Sequence, residues 1–296
     1  MLDLSKLTTE RRNPNTMELD TFTPLQIAEA MNAEDMRAIE AVRMVLPRVA
    51  QAIEWATSAL EAGGRIIYVG AGTSGRLGVL DAVECPPTFG VSFETVIGLI
   101  AGGEHAFVKA AEGAEDDEAA GASDLDARTL SPRDLVVGLA ASGRTPYVVG
   151  ALRHARETGC HTVAIACNEG SAIGRVAELA IEAVTGPEVL TGSTRLKAGT
   201  AQKTILNMIS TGAMVGVGKV YKNLMVDVQQ TNEKLHVRAR NIVTGACGCT
   251  GEEAQEALDA AGGQVKVAIT SLLLSCSADE ARAALERAHG HVRATL

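Results

Sequence analysis

Three short segments of this sequence gather hydroxyls, glycines and a cation in the way a phosphate ester requires. They are Gly70-Ala71-Gly72-Thr73-Ser74-Gly75-Arg76, then Ala141-Ser142-Gly143-Arg144-Thr145-Pro146, then Thr191-Gly192-Ser193-Thr194-Arg195 followed by Lys197. Serine and threonine hydroxyls, open backbone N–H groups and cationic side chains are the donors that hold a phosphate monoester. Pro146 suits the first turn of a helix, whose free N–H groups face an anion. Each segment alone reads as an ordinary helix N-cap, but three of them on one edge of a parallel sheet read as a phosphate site. The candidate phosphate-binding residues are therefore Thr73, Ser74, Ser142, Arg144, Thr145, Ser193, Thr194 and Lys197.

The first segment matches G-x-G-x-x-G, yet a dinucleotide site also needs an acidic residue closing the second strand. Here Glu94 precedes that strand, which ends Ala101-Gly102-Gly103, and G-x-x-x-x-G-K-[ST] is absent. No nucleotide cofactor is expected. Two acidic segments lie between the hydroxyl-rich ones. Glu84, in Val83-Glu84-Cys85-Pro86-Pro87, reads as the end of the first helix, where a carboxylate opposes the helix dipole and so is kept for another reason. Glu112 and Glu115 follow the second strand in Glu112-Gly-Ala-Glu115-Asp-Asp; taken alone, this stretch is a solvated helix start. Two carboxylates over a phosphosugar make an acid/base pair when their environments differ. The six histidines show no metal spacing, and Cys247-Gly-Cys249 lacks the partners of a closed zinc site, so no metal is expected. Among the histidines, His236, in Thr231-Asn-Glu-Lys-Leu-His236, has surroundings polar enough for a ligand role.

The elements that must carry these residues are legible as apolar runs at 65–70, 96–101, 135–141, 162–167 and, more weakly, 179–184. Each is apolar throughout, as in a parallel strand covered on both faces. Helical stretches at 77–83, 105–112, 147–158 and 172–177 separate them, which predicts a doubly wound α/β fold with a five-stranded parallel sheet. Its ligands belong beyond the carboxyl ends of the strands. Residues 1–24 read as an extended arm, 27–62 as a helical entry broken at Pro47, and 197–217 as one long helix. In the tail, Glu253-Ala-x-x-Ala-Leu-x-x-Ala-x-Gly263 recurs as Glu280-Ala-x-x-Ala-Leu-x-x-Ala-x-Gly290. The expected division is 1–54 for the arm and helices, 55–218 for the sheet domain, 219–250 as a connection and 251–296 as a small helical domain, a cap or oligomerisation element.

Composition bounds the function. The 296 residues carry 27 Lys+Arg against 36 Asp+Glu, a formal charge of −9, with 46% hydrophobic and 3% aromatic residues. That is enough apolar content for a sizeable core, built from Ala, Val, Leu and Ile. The acidic balance and the scarcity of aromatics argue against nucleic acid, which asks for basic stripes and stacking platforms. No secretory leader and no apolar run of about 18 residues is visible, so neither export nor a membrane partner is expected. Six cysteines without a disulfide pattern point to the cytoplasm.

Gly186-Pro-Glu-Val-Leu-Thr-Gly-Ser193-Thr-Arg195-Leu-Lys197-Ala-Gly-Thr-Ala-Gln-Lys203 resembles the signature shared by N-acetylmuramic acid 6-phosphate etherases and glucokinase regulatory proteins. The first loop, Leu80-Asp-Ala-Val-Glu84-Cys-Pro-Pro-Thr, Leu99-Ile-Ala-Gly-Gly-Glu104, Glu112-Gly-Ala-Glu115-Asp, Ala141-Ser-Gly-Arg-Thr-Pro-Tyr147 and Thr9-Glu-Arg-Arg-Asn-Pro-Asn-Thr16 resemble the etherase branch. The resemblance covers residues 8–245. It implies a sugar isomerase (SIS) fold, a homodimer, no metal or nucleotide, and cleavage of the D-lactyl ether of a phosphorylated amino sugar. It also implies catalytic roles for Glu84 and Glu115. Two other readings use the same pocket: a sugar-phosphate sensor without turnover, and an aldose–ketose phosphate isomerase, which leaves the second carboxylate without a task. The single copy of the loop set favours the enzyme over the regulators, which carry two.

Overall fold

The structure, a computed structural model, describes residues 7–109, 111–228 and 233–296. The five apolar runs form a parallel sheet of β1 (Ile66–Gly70), β2 (Val96–Ile100), β3 (Leu135–Leu139), β4 (His161–Ala166) and β5 (Leu179–Glu182), in the order β2-β1-β3-β4-β5. β1 and β3 are buried at every position, which is why they carry no polar alternation. From β1 the chain crosses to β2 on one side and then returns to build β3, β4 and β5 on the other. The strand order therefore reverses at β1, and in open parallel sheets ligands bind beyond the carboxyl ends of the strands at such a point.

Pro24–Met44 (α1) and Leu46–Glu61 (α2) are the expected helical entry. Their break falls at Val45, which leaves Pro47 in the first turn of α2, where its missing N–H costs nothing. The crossovers hold α3 (Gly72–Phe89), α4 (His105–Val108), α5 (Glu118–Ala127), α6 (Pro146–Thr158) and α7 (Ala172–Val176). Tyr147, Val148, Ala151, Leu152 and Ala155 form the buried face of α6, packed with Leu125 of α5 and the strand residues Val136, Ala164 and Ile67. The solvated helix start read near Glu118 is real: Asp117 caps α5 by accepting from the Ala120 N–H.

Two expectations are corrected. Glu84 does not end the first helix, because α3 runs on through Pro86 and Pro87 to Phe89. The two prolines leave the carbonyls of Ala82 and Val83 without their helical donors, yet Cys85, Pro86 and Phe89 are buried, and that packing holds the last turn. The helix-dipole argument for Glu84 therefore falls. Nor is the described part of the N-terminal segment an extended arm. It folds into three 3-10 turns at Thr8–Glu10, Pro14–Thr16 and Leu19–Thr21, with Thr9, Asn13 and Thr16 buried. The Thr16 hydroxyl donates to the Val189 carbonyl and the Asn13 amide to that of Pro187, which stitches the segment to the chain beyond β5.

The chain divides into two compact units, Met1–Val83 with Glu94–Ser210, and Glu84–Phe93 with Thr211–Leu296. The first holds the sheet and most of α8 (Lys197–Gly216). The second holds a two-stranded ribbon, β6 (Val220–Tyr221) with β7 (Leu224–Met225), and the helices α9 (Glu233–Cys247), α10 (Gly251–Ala260), α11 (Val265–Leu274) and α12 (Ala278–Arg287). The repeated tail motif is a repeated helix. Thr250 and Glu253 form a capping box on α10, and Ser277 and Glu280 form the same box on α12. Gly263 and Gly290, both at φ +81, close the two helices by donating to the carbonyls of Leu258 and Leu285.

The loop after β1 depends on a close approach. A Cβ on Gly75 would lie 2.7 Å from the Gly70 oxygen and 2.8 Å from Ile100 Cγ1, whereas Gly72, at φ +52, faces open space. We expect Gly75→Ala to cost about 3 kcal/mol through overpacking. Gly72→Ala should cost only about 1–2 kcal/mol, for its left-handed backbone. Urea unfolding of the two variants reads the difference directly.

Candidate active site

The first two hydroxyl-rich segments leave from paired strand ends, Gly70 of β1 and Leu139 of β3, and the carboxylate segment leaves from Ile100 of β2, which pairs Gly70 on its other side. Helix α3 starts two residues after β1, and α6 follows β3 after the turn at 140–145, so two helix N-termini, with their partial positive charge, follow the strands at the switch point. Thr73 and Ser74 occupy the first turn of α3. Ser74 is buried, and its hydroxyl donates to Gln202 Oε1 of α8 at 2.8 Å. Arg76, of the same segment, donates to the carbonyls of Phe107 at 2.7 Å and Ala106 at 2.8 Å, which fastens α3 to the chain beyond β2.

In the second segment Gly143, at φ +74, donates to the Ala140 carbonyl and turns the chain outward. The Arg144 N–H donates weakly to Ser142 Oγ. Thr145 is the N-cap residue of α6, with Pro146 in the first turn, but its hydroxyl makes no capping bond. Asn168, buried just beyond β4, holds this turn from behind. Its Nδ2 donates to the carbonyls of Ala141 and Ser142, while its Oδ1 accepts from the N–H and hydroxyl of Thr8.

The third segment is wired differently. Lys197 is buried and ion-paired to Glu34 of α1. Glu188, fully buried, accepts from the N–H groups of Lys197 and Ala198 at 3.2 and 3.0 Å, and so fills the N-terminus of α8. Burial pushes the Glu188 carboxyl above its ordinary range. Burial also raises Glu34, but its hydrogen bonds with Lys197, Asn13 and Asn15 and the charge of Lys197 outweigh that and leave it below the usual carboxylate range. Ser193 and Thr194 are half-buried in the turn before α8, where the Thr194 carbonyl accepts from Gly199. A small cleft of ≈ 200 Å³ lies between this turn and α1, lined by Glu34, Asp35, Glu188, Arg195 and Thr200.

Glu115 stands, exposed, on the 3-10 turn Ala114–Asp116, which Gly113 enters in the left-handed conformation and half-buried Ala114 anchors to the core. Glu84 is exposed on α3 and belongs to the second unit. One turn earlier on α3, Asp81 is buried and accepts from Tyr68 at 2.9 Å, Asn207 at 2.8 Å and Ser210 at 3.2 Å. Burial raises its carboxyl above the ordinary range. His236 is exposed beside a cleft of ≈ 450 Å³ in the second unit, with Asp227 and Gln264; Thr231 and Asn232, from the same segment, lie outside the described residues. Among the described residues no group of three or more His, Cys, Asp or Glu is placed to hold a metal ion, and no single helix is long and apolar enough to cross a membrane.

The segments that hold Thr73, Ser74, Ser142, Arg144 and Thr145, and the segment that leads to Glu115, thus leave from neighbouring strand ends, and Lys197 stands in an internal ion pair. Sequence reasoning did not single out Glu34, Asp81, Asn168 or Gln202. The available signal was a polar residue on an apolar face. Gln202 shares the buried side of α8 with Ala198, Ile205 and Ile209.

Residues 48–156 match the glucokinase regulatory protein N-terminal SIS domain, 111–211 the SIS domain, and 222–261 the C-terminal lid domain of glucokinase regulatory protein. The N-acetylmuramic acid 6-phosphate etherase of Pectobacterium atrosepticum is 59% identical over 272 residues, covering 92% of this chain and 90% of its own. That of Halalkalibacterium halodurans is 58% identical over 270 residues, 91% of each. Among solved structures, a phosphoheptose isomerase from Neisseria gonorrhoeae superposes with a TM-score of 0.50 at 20% identity, over 66% of this chain and 98% of that one. That likeness is one of fold.

The Glu34–Lys197 pair makes a prediction about stability and pH. Lys197→Met leaves a buried carboxylate unpaired and should cost about 3–5 kcal/mol at neutral pH. Glu34→Gln combined with Lys197→Met should recover much of that. Because Glu34 is held low in the folded protein, the pair's contribution is complete above the ordinary carboxylate range and is lost as pH falls through the folded value. The penalty of Lys197→Met should therefore shrink toward pH 4 in denaturant titrations. A penalty constant from pH 7 to 4 would mean that the charge pair is not its source.

Proposed function

The chain belongs to the N-acetylmuramic acid 6-phosphate etherases, and from that premise we propose that Glu84 and Glu115 are the two groups that break its substrate's ether bond. The reaction releases D-lactate and leaves N-acetylglucosamine 6-phosphate. What supports the site assignment is that two hydroxyl-rich segments and the segment that leads to Glu115 leave from three adjacent strand ends, β3, β1 and β2.

An unactivated ether resists direct hydrolysis. In the open-chain aldehyde the C1 carbonyl acidifies the C2 proton, and the lactyl oxygen sits on C3. A carboxylate at C2 removes that proton while a carboxylic acid protonates the departing lactate oxygen. Electrons flow from the C2–H bond into a C2–C3 double bond and out onto the lactyl oxygen. Water then adds at C3 and a proton returns to C2, which restores the saturated sugar. We assign Glu115 as the base and Glu84 as the acid. Each contributes about 10²–10⁴-fold as a general acid or base. Thr73, Ser74, Ser142, Arg144 and Thr145 anchor the phosphate, with Ser193 and Thr194 beside them, so that binding energy sets C2 and C3 against the carboxylates. Lys197 contributes through Glu34, by fixing the turn that carries Ser193 and Thr194.

The active form is a homodimer in this reading. Its support is α1, where Leu25, Met36 and Ile39 are exposed and share one helical face. We place the enzyme in the cytoplasm; the support is that none of the six cysteines is in a disulfide.

Incubation with N-acetylmuramic acid 6-phosphate in ¹⁸O water should release D-lactate and place ¹⁸O in the sugar product. Lactate carrying the label instead would exclude elimination. Bound sugar phosphate without turnover would mark a sensor. In deuterium oxide, Glu84→Ala should still exchange the C2 proton while lactate release falls about 10²–10⁴-fold. Glu115→Gln should lose both. The opposite pattern exchanges the two roles. For the dimer, Met36→Glu with Ile39→Glu should halve the mass measured by light scattering, and an unchanged mass would remove α1 from the interface.

A further inference from the structure

Ser74 is the buried hydroxyl of the first phosphate-binding turn, and its hydrogen bond runs the wrong way for an anion. Its O–H donates to Gln202 Oε1 at 2.8 Å, so that proton is engaged and only lone pairs remain for any other partner. On the same amide, Gln202 Nε2 is buried and makes no hydrogen bond among the described residues. Gln202 itself is 1% exposed, on the apolar side of α8, where an unpaired amide donor is costly.

Both oddities have one remedy. Turning the amide by 180° about its terminal bond puts Nε2 on Ser74 Oγ. The orphaned donor is then paired, and the Ser74 proton is released toward whatever lies at the turn. The exchange leaves Oε1 in the place Nε2 held, and an under-satisfied acceptor is less costly than an under-satisfied donor. With no anion present the two orientations compete. A phosphate dianion favours the second alone, because it gains a charge-assisted hydrogen bond from Ser74.

We propose that Gln202 is a positioning residue that sets the polarity of the Ser74 hydroxyl, turning it from acceptor-facing to donor-facing when a phosphorylated ligand binds. The inference rests on the reading of Ser74 as a phosphate ligand. It adds that the affinity of the site is governed by a side chain on α8 that does not itself reach the phosphate. An amide does this because it carries a donor and an acceptor on one rotor; a carboxylate or an apolar side chain cannot.

The test uses the full-length protein and two substitutions. Gln202→Glu offers Ser74 only an acceptor while ionised, and a donor once protonated. Gln202→Met offers neither and keeps the volume, which guards against a folding failure from a buried charge. Kd for inorganic phosphate and for N-acetylglucosamine 6-phosphate is measured by calorimetry between pH 5.5 and 8.5, and KM and kcat are taken from D-lactate release. Relative to wild type at each pH, Gln202→Glu should weaken both ligands about tenfold or more at pH 8.5, and the ratio should return toward one as the introduced carboxyl protonates. Gln202→Met should weaken them several-fold with a pH-independent ratio, and the loss should fall on KM more than on kcat. In a Ser74→Ala background, Gln202→Met should add no further loss.

Additive penalties of Ser74→Ala and Gln202→Met, or a Gln202→Glu ratio flat across pH, would overturn the proposal. So would a Ser74→Ala protein that binds phosphate normally while lactate release continues; that result leaves the etherase reading intact. Phosphate binding coupled to Ser74 and Gln202 as described, but without lactate release, would sink the etherase reading and leave this inference standing.

Discussion

The backbone contact between Gly70 and Gly75 is the constraint on which the site depends. With no Cβ on either residue, the first turn of α3 settles directly on the end of β1, and a Cβ at Gly70 would sit 2.7 Å from the Gly75 nitrogen. That approach puts the N-terminus of α3 at the point where the strand order reverses. Thr73 and Ser74 thereby stand on a fixed backbone in the first turn of α3, and Arg76 comes within reach of the carbonyls beyond β2. The motif resembles a dinucleotide loop because both need backbone close to a phosphate. It differs in carrying hydroxyls where a dinucleotide loop needs smooth backbone to lie along a pyrophosphate.

A second layer of polar groups holds this edge of the sheet together and is itself sealed from water. Asn168 ties Thr8 and Thr9 to the carbonyls of Ala141 and Ser142, so the N-terminal segment and the second hydroxyl-rich turn share one side chain. Glu188 fills the N-terminus of α8, and Glu34 takes the charge of Lys197. Breaking one partner of such a network is more damaging than never having built it, because the survivor stays buried and unpaired. The N-terminal segment is thus part of the wall that orders the turns.

The sheet, its order of elements and the hydroxyl-rich turns are legible in the sequence because they follow from local pattern: unbroken apolar runs, glycine-bearing turns and helical periodicity. The capped helix repeat around Glu253 and Glu280 is legible for the same reason. What local pattern misreads depends on tertiary packing. Pro86 and Pro87 signal a helix end, yet buried Cys85 and Phe89 carry α3 past them. A polar N-terminus signals an arm, yet Thr9, Asn13 and Thr16 find hydrogen-bond partners more than 150 residues away. Lys197 reads as a phosphate ligand from its neighbours in sequence. Its partner Glu34 lies on another helix, and no spacing rule connects the two.

That pairing bears on how an acidic protein holds an anion. With a formal charge of −9, the molecule's field repels its substrate. Two of the cations nearest in sequence to the phosphate turns are already spent, Lys197 on Glu34 and Arg76 on backbone carbonyls. In the site proposed here, binding comes chiefly from helix N–H groups and from oriented hydroxyls, with Arg144 at the tip of the second turn. Such donors act over a single hydrogen-bond length and count only when they point the right way. An N–H fixed by a helix always does, whereas a hydroxyl rotates to suit its neighbours. The group that fixes a hydroxyl's direction is therefore as much a part of the site as the hydroxyl, which gives a buried glutamine on α8 its place in the chemistry of the first turn.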